Sequence, residues 1–142
     1  MGATACGGGD HLGPPSPVMT AVTINGSTVS ATIAATRASR EQGLMGVQSL
    51  AANSGMLFVF ADDRQRFFWM KDTSIPLSIA FIDSNKKIVL IEDMAPNTLS
   101  SHGGPQMRYA LEVNQGWFAS HGISAGMFAT FTAADIVIES DP

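Results

Sequence analysis

The chain has 142 residues, 45% of them apolar and only 14% charged, with a net charge of −4. That length fits one domain, and the apolar share suffices for a packed core and excludes a disordered chain. Eight Lys and Arg without a basic run leave little to grip a phosphate backbone, which argues against a nucleic-acid partner, and no apolar run reaches the ~18 residues of a membrane helix.

The single cysteine, Cys6, excludes an intrachain disulfide. Ala3-Thr4-Ala5-Cys6-Gly7 is similar to the end of a bacterial lipoprotein signal, where the Cys becomes a lipidated N-terminus. Met1-Gly2 then reads as a start placed near the cleavage point. Gly7 in place of Asp after the Cys suggests outer-membrane sorting in a Gram-negative source. A periplasmic or cell-envelope lipoprotein follows as an expectation, with membrane contact only through the lipid on Cys6. Residues 1–17, rich in Gly and Pro, form a flexible tether, and residues 18–139 form one β-rich domain.

Within the domain, Met19–Ile24 and Thr28–Ala34 flank Asn25-Gly26, a type I′ hairpin signal. Thr36–Met45 predicts a short helix capped by Thr36 or Ser39. Met56–Phe60 reads as a buried strand, Ala61–Gln65 as a charged turn and Phe67–Met70 as the next strand. Ile79–Ile82 and Lys87–Ile91 flank a second hairpin turn. Pro96–Pro105 reads as a polar loop, Met107–Val113 as a strand, and Gln115–His121 as a helix capped by Asn114. Met127–Phe131 and Ile136–Ile138 close the count at about nine strands. Short strands with frequent turns predict a mainly β fold, an antiparallel barrel or sandwich-like domain with two short helices.

The segment Arg66-Phe67-Phe68-Trp69-Met70-Lys71-Asp72-Thr73-Ser74-Ile75-Pro76-Leu77 concentrates the chemistry. Aromatic residues run into a cation, an anion and a hydroxyl, as the wall and rim of a pocket would. If the strand continued, Trp69, Lys71 and Thr73 would share one face. Lys71 is then placed to meet a ligand anion or Glu112. Arg40 offers a planar fork to a carboxylate, with Glu112 or Glu92 as internal partners. Glu112, within a strand, must be paired or protonated if buried. The candidate ligand-binding residues are therefore Arg40, Trp69, Lys71, Asp72, Thr73 and Glu112. Both tryptophans also suit a plain core role. His11, His102 and His121 lack metal-ligand spacing, and no phosphate loop or nucleophile elbow is present, so no metal, cofactor or complete catalytic set is expected.

The order of several motifs carries a resemblance. Arg40-Glu41-Gln42-Gly43-Leu44-Met45-Gly46, Gly55-Met56-Leu57-Phe58-Val59-Phe60, Phe68 to Leu77, Ala95-Pro96, Tyr109-Ala110-Leu111-Glu112 and Gly116-Trp117 together resemble domain-of-unknown-function family 192. The resemblance spans roughly residues 20 to 132 and implies a compact barrel-like domain without an established activity. Two positions depart from the family pattern: Asp72 stands where Asn is usual, and Ser78 follows Pro-Leu where Asp is usual. These residues lead to a cell-envelope domain binding a small molecule or short peptide. The alternatives are an enzyme with Lys71, Asp72 and Glu112 in acid/base roles, and a structural or interaction module of the envelope.

Overall fold

The computed structural model describes residues 17–133 and 136–142. Apart from Pro17, the tether with Cys6 and His11 lies outside the described residues. The chain runs β1 (Met19–Ile24), β2 (Ser27–Ala34), α1 (Arg37–Gln42), β3 (Ser54–Phe68), β4 (Leu77–Ile82), β5 (Ile88–Met94), β6 (His102–Asn114), α2 (Trp117–Ser120) and β7 (Ala129–Thr130). Among the described residues these strands form one sheet in the order β5-β4-β6-β3-β2-β1-β7. The fold is mainly β with two short helices, as the sequence predicts.

The sheet is mixed rather than wholly antiparallel, because β2 and β3 run parallel. A parallel pair needs a crossover, and residues 35–53 supply it, carrying α1 across the sheet. At the other side, Lys87 bridges to Phe128, and Ile88 N–H donates to the Met127 carbonyl at 2.8 Å. The outer strand thus meets the segment entering β7, and the sheet curls into a half-barrel.

Alternation along the strands divides the core in two. Val22, Val29, Leu57, Ala80, Ile88, Leu111 and Ala129, drawn from all seven strands, pack inside the curl with Trp117 and Phe118 of α2. Phe58, Phe60, Ile79, Phe81, Met107 and Ala110 point the other way and pack beneath Leu44 and Met70. Burying a side chain of the larger kind stabilises by about 1.5–3 kcal/mol, so both layers contribute substantially.

The turns follow their residues. Asn25 and Gly26 both take positive φ, 51° and 78°, as a type I′ hairpin requires. Thr36 and Ser39 form a reciprocal capping box that starts α1. The helix ends at Gln42, because the next residue, Gly43, takes a φ of 50° that favours glycine. It is therefore shorter than the span to Met45 that the sequence predicts.

Other departures have physical causes. Ala61–Gln65 is no turn: β3 continues over 15 residues, pairing with the 13-residue β6 as far as Val59 and again from Arg64. Register shifts between Val59 and Arg64 and between Gln65 and Phe67 absorb the irregular stretch as bulges. The strand ends at Phe68, so Trp69, Lys71 and Thr73 do not share a strand face. Asn114 does not cap α2; its amide donates to the Leu50 carbonyl at 2.8 Å, and Gly116 is the cap. Ile136–Ile138 is not a strand, but Ile136 and Ile138 still pack on the inner core.

Candidate functional site

The outer face of the half-barrel holds a cavity of about 590 Å³. Its floor is the sheet, with Phe58 and Phe60 of β3 and Glu112 of β6. One wall is α1 and the turn after it, through Arg40, Leu44 and Met45. The other wall is the end of β3 and the loop beyond, through Arg66, Phe68, Trp69, Met70 and Thr73. A cavity of that size falls within the range of small-molecule sites.

The loop 69–76 is fixed by its backbone. Met70 N–H donates to the Thr98 carbonyl at 3.0 Å, Gly46 N–H to the Asp72 carbonyl at 3.0 Å, and Asn97 N–H to the Thr73 carbonyl at 2.9 Å. Asp72 has φ of 54°, a left-handed conformation that Asp and Asn both tolerate. The Thr73 hydroxyl donates to the Lys71 carbonyl at 3.1 Å.

Two buried arginines frame the cavity. Arg40 donates through Nη1 to the Ala35 and Val59 carbonyls, at 2.6 and 3.0 Å, and through Nη2 to the Glu139 carbonyl at 2.7 Å and Asp141 Oδ1 at 2.9 Å. Its Nε–H is buried without a partner among the described residues. Arg66 donates to the Asp62 and Met107 carbonyls, at 3.0 and 3.1 Å, and its Nε donates to Asp141 Oδ2 at 3.1 Å. Its guanidinium carbon lies 3.9 Å from the centre of the Phe60 ring. Asp141 therefore clamps α1 to β3 through its two oxygens, from the far end of the chain. Burial pushes its carboxyl up, but hydrogen bonds from Arg40 and Arg66 outweigh that and hold it below the ordinary carboxylate value.

Glu112 has the opposite setting. It is 5% exposed, lines the cavity, and has no hydrogen bond or ion pair from its side chain among the described residues. Its cross-strand neighbours are Met56 on β3 and Ile79 on β4, and neither side chain can donate. Burial alone pushes its carboxyl up to about 8, which leaves it mostly protonated at neutral pH.

Of the six candidates from the sequence, Arg40, Trp69, Thr73 and Glu112 line the cavity. Lys71 and Asp72 are exposed and outside its lining, with Lys71 Nζ 5.5 Å from the centre of the Trp69 ring. The set Lys71, Asp72 and Glu112 is therefore not assembled around the cavity. Arg40 pairs with Asp141 and not with Glu112 or Glu92; Glu92 faces His102 at 3.1 Å. Trp117 belongs to the inner core, whereas Trp69 is 49% exposed at the cavity mouth. Ser78 lies across the sheet, where its hydroxyl donates to Asp93 Oδ1 at 2.7 Å and accepts from Gly116 N–H at 3.0 Å. It does not belong to the rim.

Arg66 and Asp141 join the site without having been singled out in the sequence. Arg66 carries one signal, a cation placed between acidic and aromatic residues. Asp141 carries none, since 75 residues separate it from Arg66.

The chain belongs to domain-of-unknown-function family 192, described as an uncharacterised ACR, whose model matches residues 20–131. No curated protein shows significant similarity. The fold is similar to the crystal structure of a candidate transcription regulator from Sinorhizobium meliloti 1021, with 32% identity, a TM-score of 0.76, and coverage of 84% of this chain and 98% of that one. It is also similar to a protein of unknown function from Novosphingobium aromaticivorans DSM 12444, with 28% identity, a TM-score of 0.72, and coverage of 80% and 84%.

Proposed function

We propose that this family member is a small-molecule-binding domain whose site is the outer-face cavity. The observation that carries this reading is Glu112: a buried carboxyl, open to a cavity and without an internal partner, is costly unless something else meets it. Aromatic walls and a few placed polar groups are the usual make-up of such sites. The exposed Phe67 and Trp69 beside the mouth add apolar surface that a ligand or short peptide would cover. Attachment to the cell envelope through Cys6 belongs to the same proposal and is supported by the sequence around that residue alone.

A role like that in the description of the Sinorhizobium relative, transcription regulation, fits this chain poorly. Arg40, Arg64, Arg66 and Arg108 are all held by carboxylates, and the net charge is −4. Those arginines are poorly placed to neutralise phosphates.

A fragment screen read by NMR tests the cavity. The two indole N–H signals serve as reporter and control, because Trp69 lines the cavity and Trp117 donates to Asn53 at 2.9 Å in the inner layer. Saturable movement of the Trp69 and Gly43 signals with Trp117 unmoved supports the site. A screen of neutral, anionic and cationic fragments that moves none of the cavity signals sinks it.

A further inference from the structure

We infer that the cavity selects a cation: a primary amine carried on an aromatic or aliphatic body, with its ammonium on Glu112 and its body against Phe58, Phe68 and Trp69. This deepens the binding proposal above and rests on it.

The inference starts from the charges around the cavity. Its lining contains three arginines, and each already has a carboxylate: Arg37 faces Glu139 at 4.0 Å, Arg40 faces Asp141 at 2.9 Å, and Arg66 reaches Asp62 and Asp141. An anionic ligand would therefore compete with bonds already made at each guanidinium, with only the Arg40 Nε–H uncommitted among the described residues. Of the acidic side chains in the lining, Asp141 is engaged by two arginines, and Glu41 is exposed to solvent. Glu112 remains as a buried carboxyl with its oxygens uncommitted.

An ammonium supplies what that carboxyl lacks. It brings up to three N–H donors and a full opposite charge to a largely buried carboxyl, where attraction is stronger than in bulk water. The surrounding rings favour the same ligand. Phe58 and Phe68 meet edge to face with centroids 5.1 Å apart, presenting faces and edges around the floor. Ring faces attract cations, as the Arg66 guanidinium over Phe60 already shows within this site. The apolar body would meanwhile cover Met45, Met70 and the Trp69 ring.

Binding would draw a proton balance with it. Burial leaves Glu112 largely neutral in the free protein, so an ammonium entering the site converts it to carboxylate and releases a proton to solvent. The ammonium keeps its own proton, and no bond other than the carboxyl O–H is broken.

Three compounds of matched shape separate the possibilities: 3-phenylpropylamine, 3-phenylpropan-1-ol and 3-phenylpropanoate. NMR titration of the full chain near neutral pH should give an amine affinity at least about tenfold above the alcohol, with the carboxylate weakest. Glu112→Gln should bring the amine down to the level of the alcohol. Calorimetry in buffers of different ionisation enthalpy should show proton release with the amine alone. A free amine and the N-terminus of a peptide share this chemistry, so phenylalanyl-alanine amide and its N-acetyl form make a further arm. Tighter binding by the unblocked peptide than by the amine would assign a peptide as the source, and the reverse a small amine. Equal binding of all three phenylpropyl compounds, or an amine affinity unmoved by Glu112→Gln, overturns the cation proposal while leaving the cavity as a binding site. Failure of every compound, together with a blank fragment screen, overturns both.

Discussion

The two faces of the curled sheet are packed from the same strands and treat polar groups in opposite ways. Inside the curl, the polar atoms that intrude are paired: Trp117 Nε1 donates to Asn53, and Ser78 bridges Asp93 and Gly116. On the outer face lie Arg40, Arg66, Thr73 and Glu112, four of the five buried polar or charged residues among those described. There the packing leaves a cavity, and two of the four carry an unmatched group, the Glu112 carboxyl and the Arg40 Nε–H. The difference teaches where to look for function: the inner layer holds the sheet closed, while the outer layer leaves polar groups facing a cavity that a bound partner would match.

Adjacent residues on β6 allow the comparison to be broken cleanly. Leu111 faces the inner layer, fully buried, and Glu112 faces the outer one. Leu111→Ala should cost about 2–5 kcal/mol, the usual range for emptying a packed site, and by a similar amount at every pH. Urea unfolding at several pH values checks this. A loss below about 1 kcal/mol would mean that the inner layer is looser than its packing implies.

Glu112→Gln should behave differently. The folded carboxyl is raised from 4.5 to about 8, so the native state holds its proton more tightly than the unfolded chain does. Stability from this group is complete below the unfolded value and is lost as pH rises through that window, by at most about 1.4 kcal/mol per pH unit. Glu112→Gln removes the titration. It should match the parent near pH 4 and exceed it by up to roughly 5 kcal/mol near pH 9. Parallel pH profiles for the two proteins would show that Glu112 is paired or hydrated after all.

How much of this was legible beforehand depended on the range of the interaction. The hairpin at Asn25-Gly26, the cap at Thr36 and the β character of the strands are local, and the sequence displays them. The charged run from Ala61 to Gln65 misleads because a turn and a bulged strand share the same polar composition; only pairing with β6 distinguishes them. At the site, aromatic residues beside Thr73 and a strand-borne Glu112 pointed to a pocket. What they could not reveal was that Lys71 and Asp72 turn away once the strand ends at Phe68, or that the far end of the chain returns with Asp141. Those facts are set by tertiary contacts that no window of sequence contains.

Asp141→Asn sharpens the outer face from the other side. It keeps an acceptor for one arginine but withdraws the charge from both, and should cost about 1–3 kcal/mol near neutral pH. The sign with pH is the reverse of that at Glu112. The folded Asp141 carboxyl lies below its ordinary 3.8, so its contribution is present above that value and is lost as pH falls through the folded value. The variant should therefore lose less stability than the parent on acidification, which acid titration followed by circular dichroism measures. An unchanged acid limb would mean that the clamp between α1 and β3 is held by the carbonyl contacts of Arg40 and Arg66 alone.

The smallest effect belongs to Asp72. Asp72 is exposed, its side chain is off the cavity lining, and its φ of 54° is what the loop demands. Asn and Asp satisfy that demand almost equally, so Asp72→Asn should change stability by less than about 0.5 kcal/mol and leave ligand titrations unmoved. Asp72→Val, which is similar in size but resists a left-handed backbone, should cost about 1–2 kcal/mol and loosen the loop that carries Trp69 and Thr73. The pair separates two explanations of the position. If backbone geometry is its purpose, only Val disturbs binding, and it does so through the wall of the cavity. If Asn alters binding as well, the carboxylate itself reaches the ligand, and the cavity extends farther toward Lys71 than its present lining.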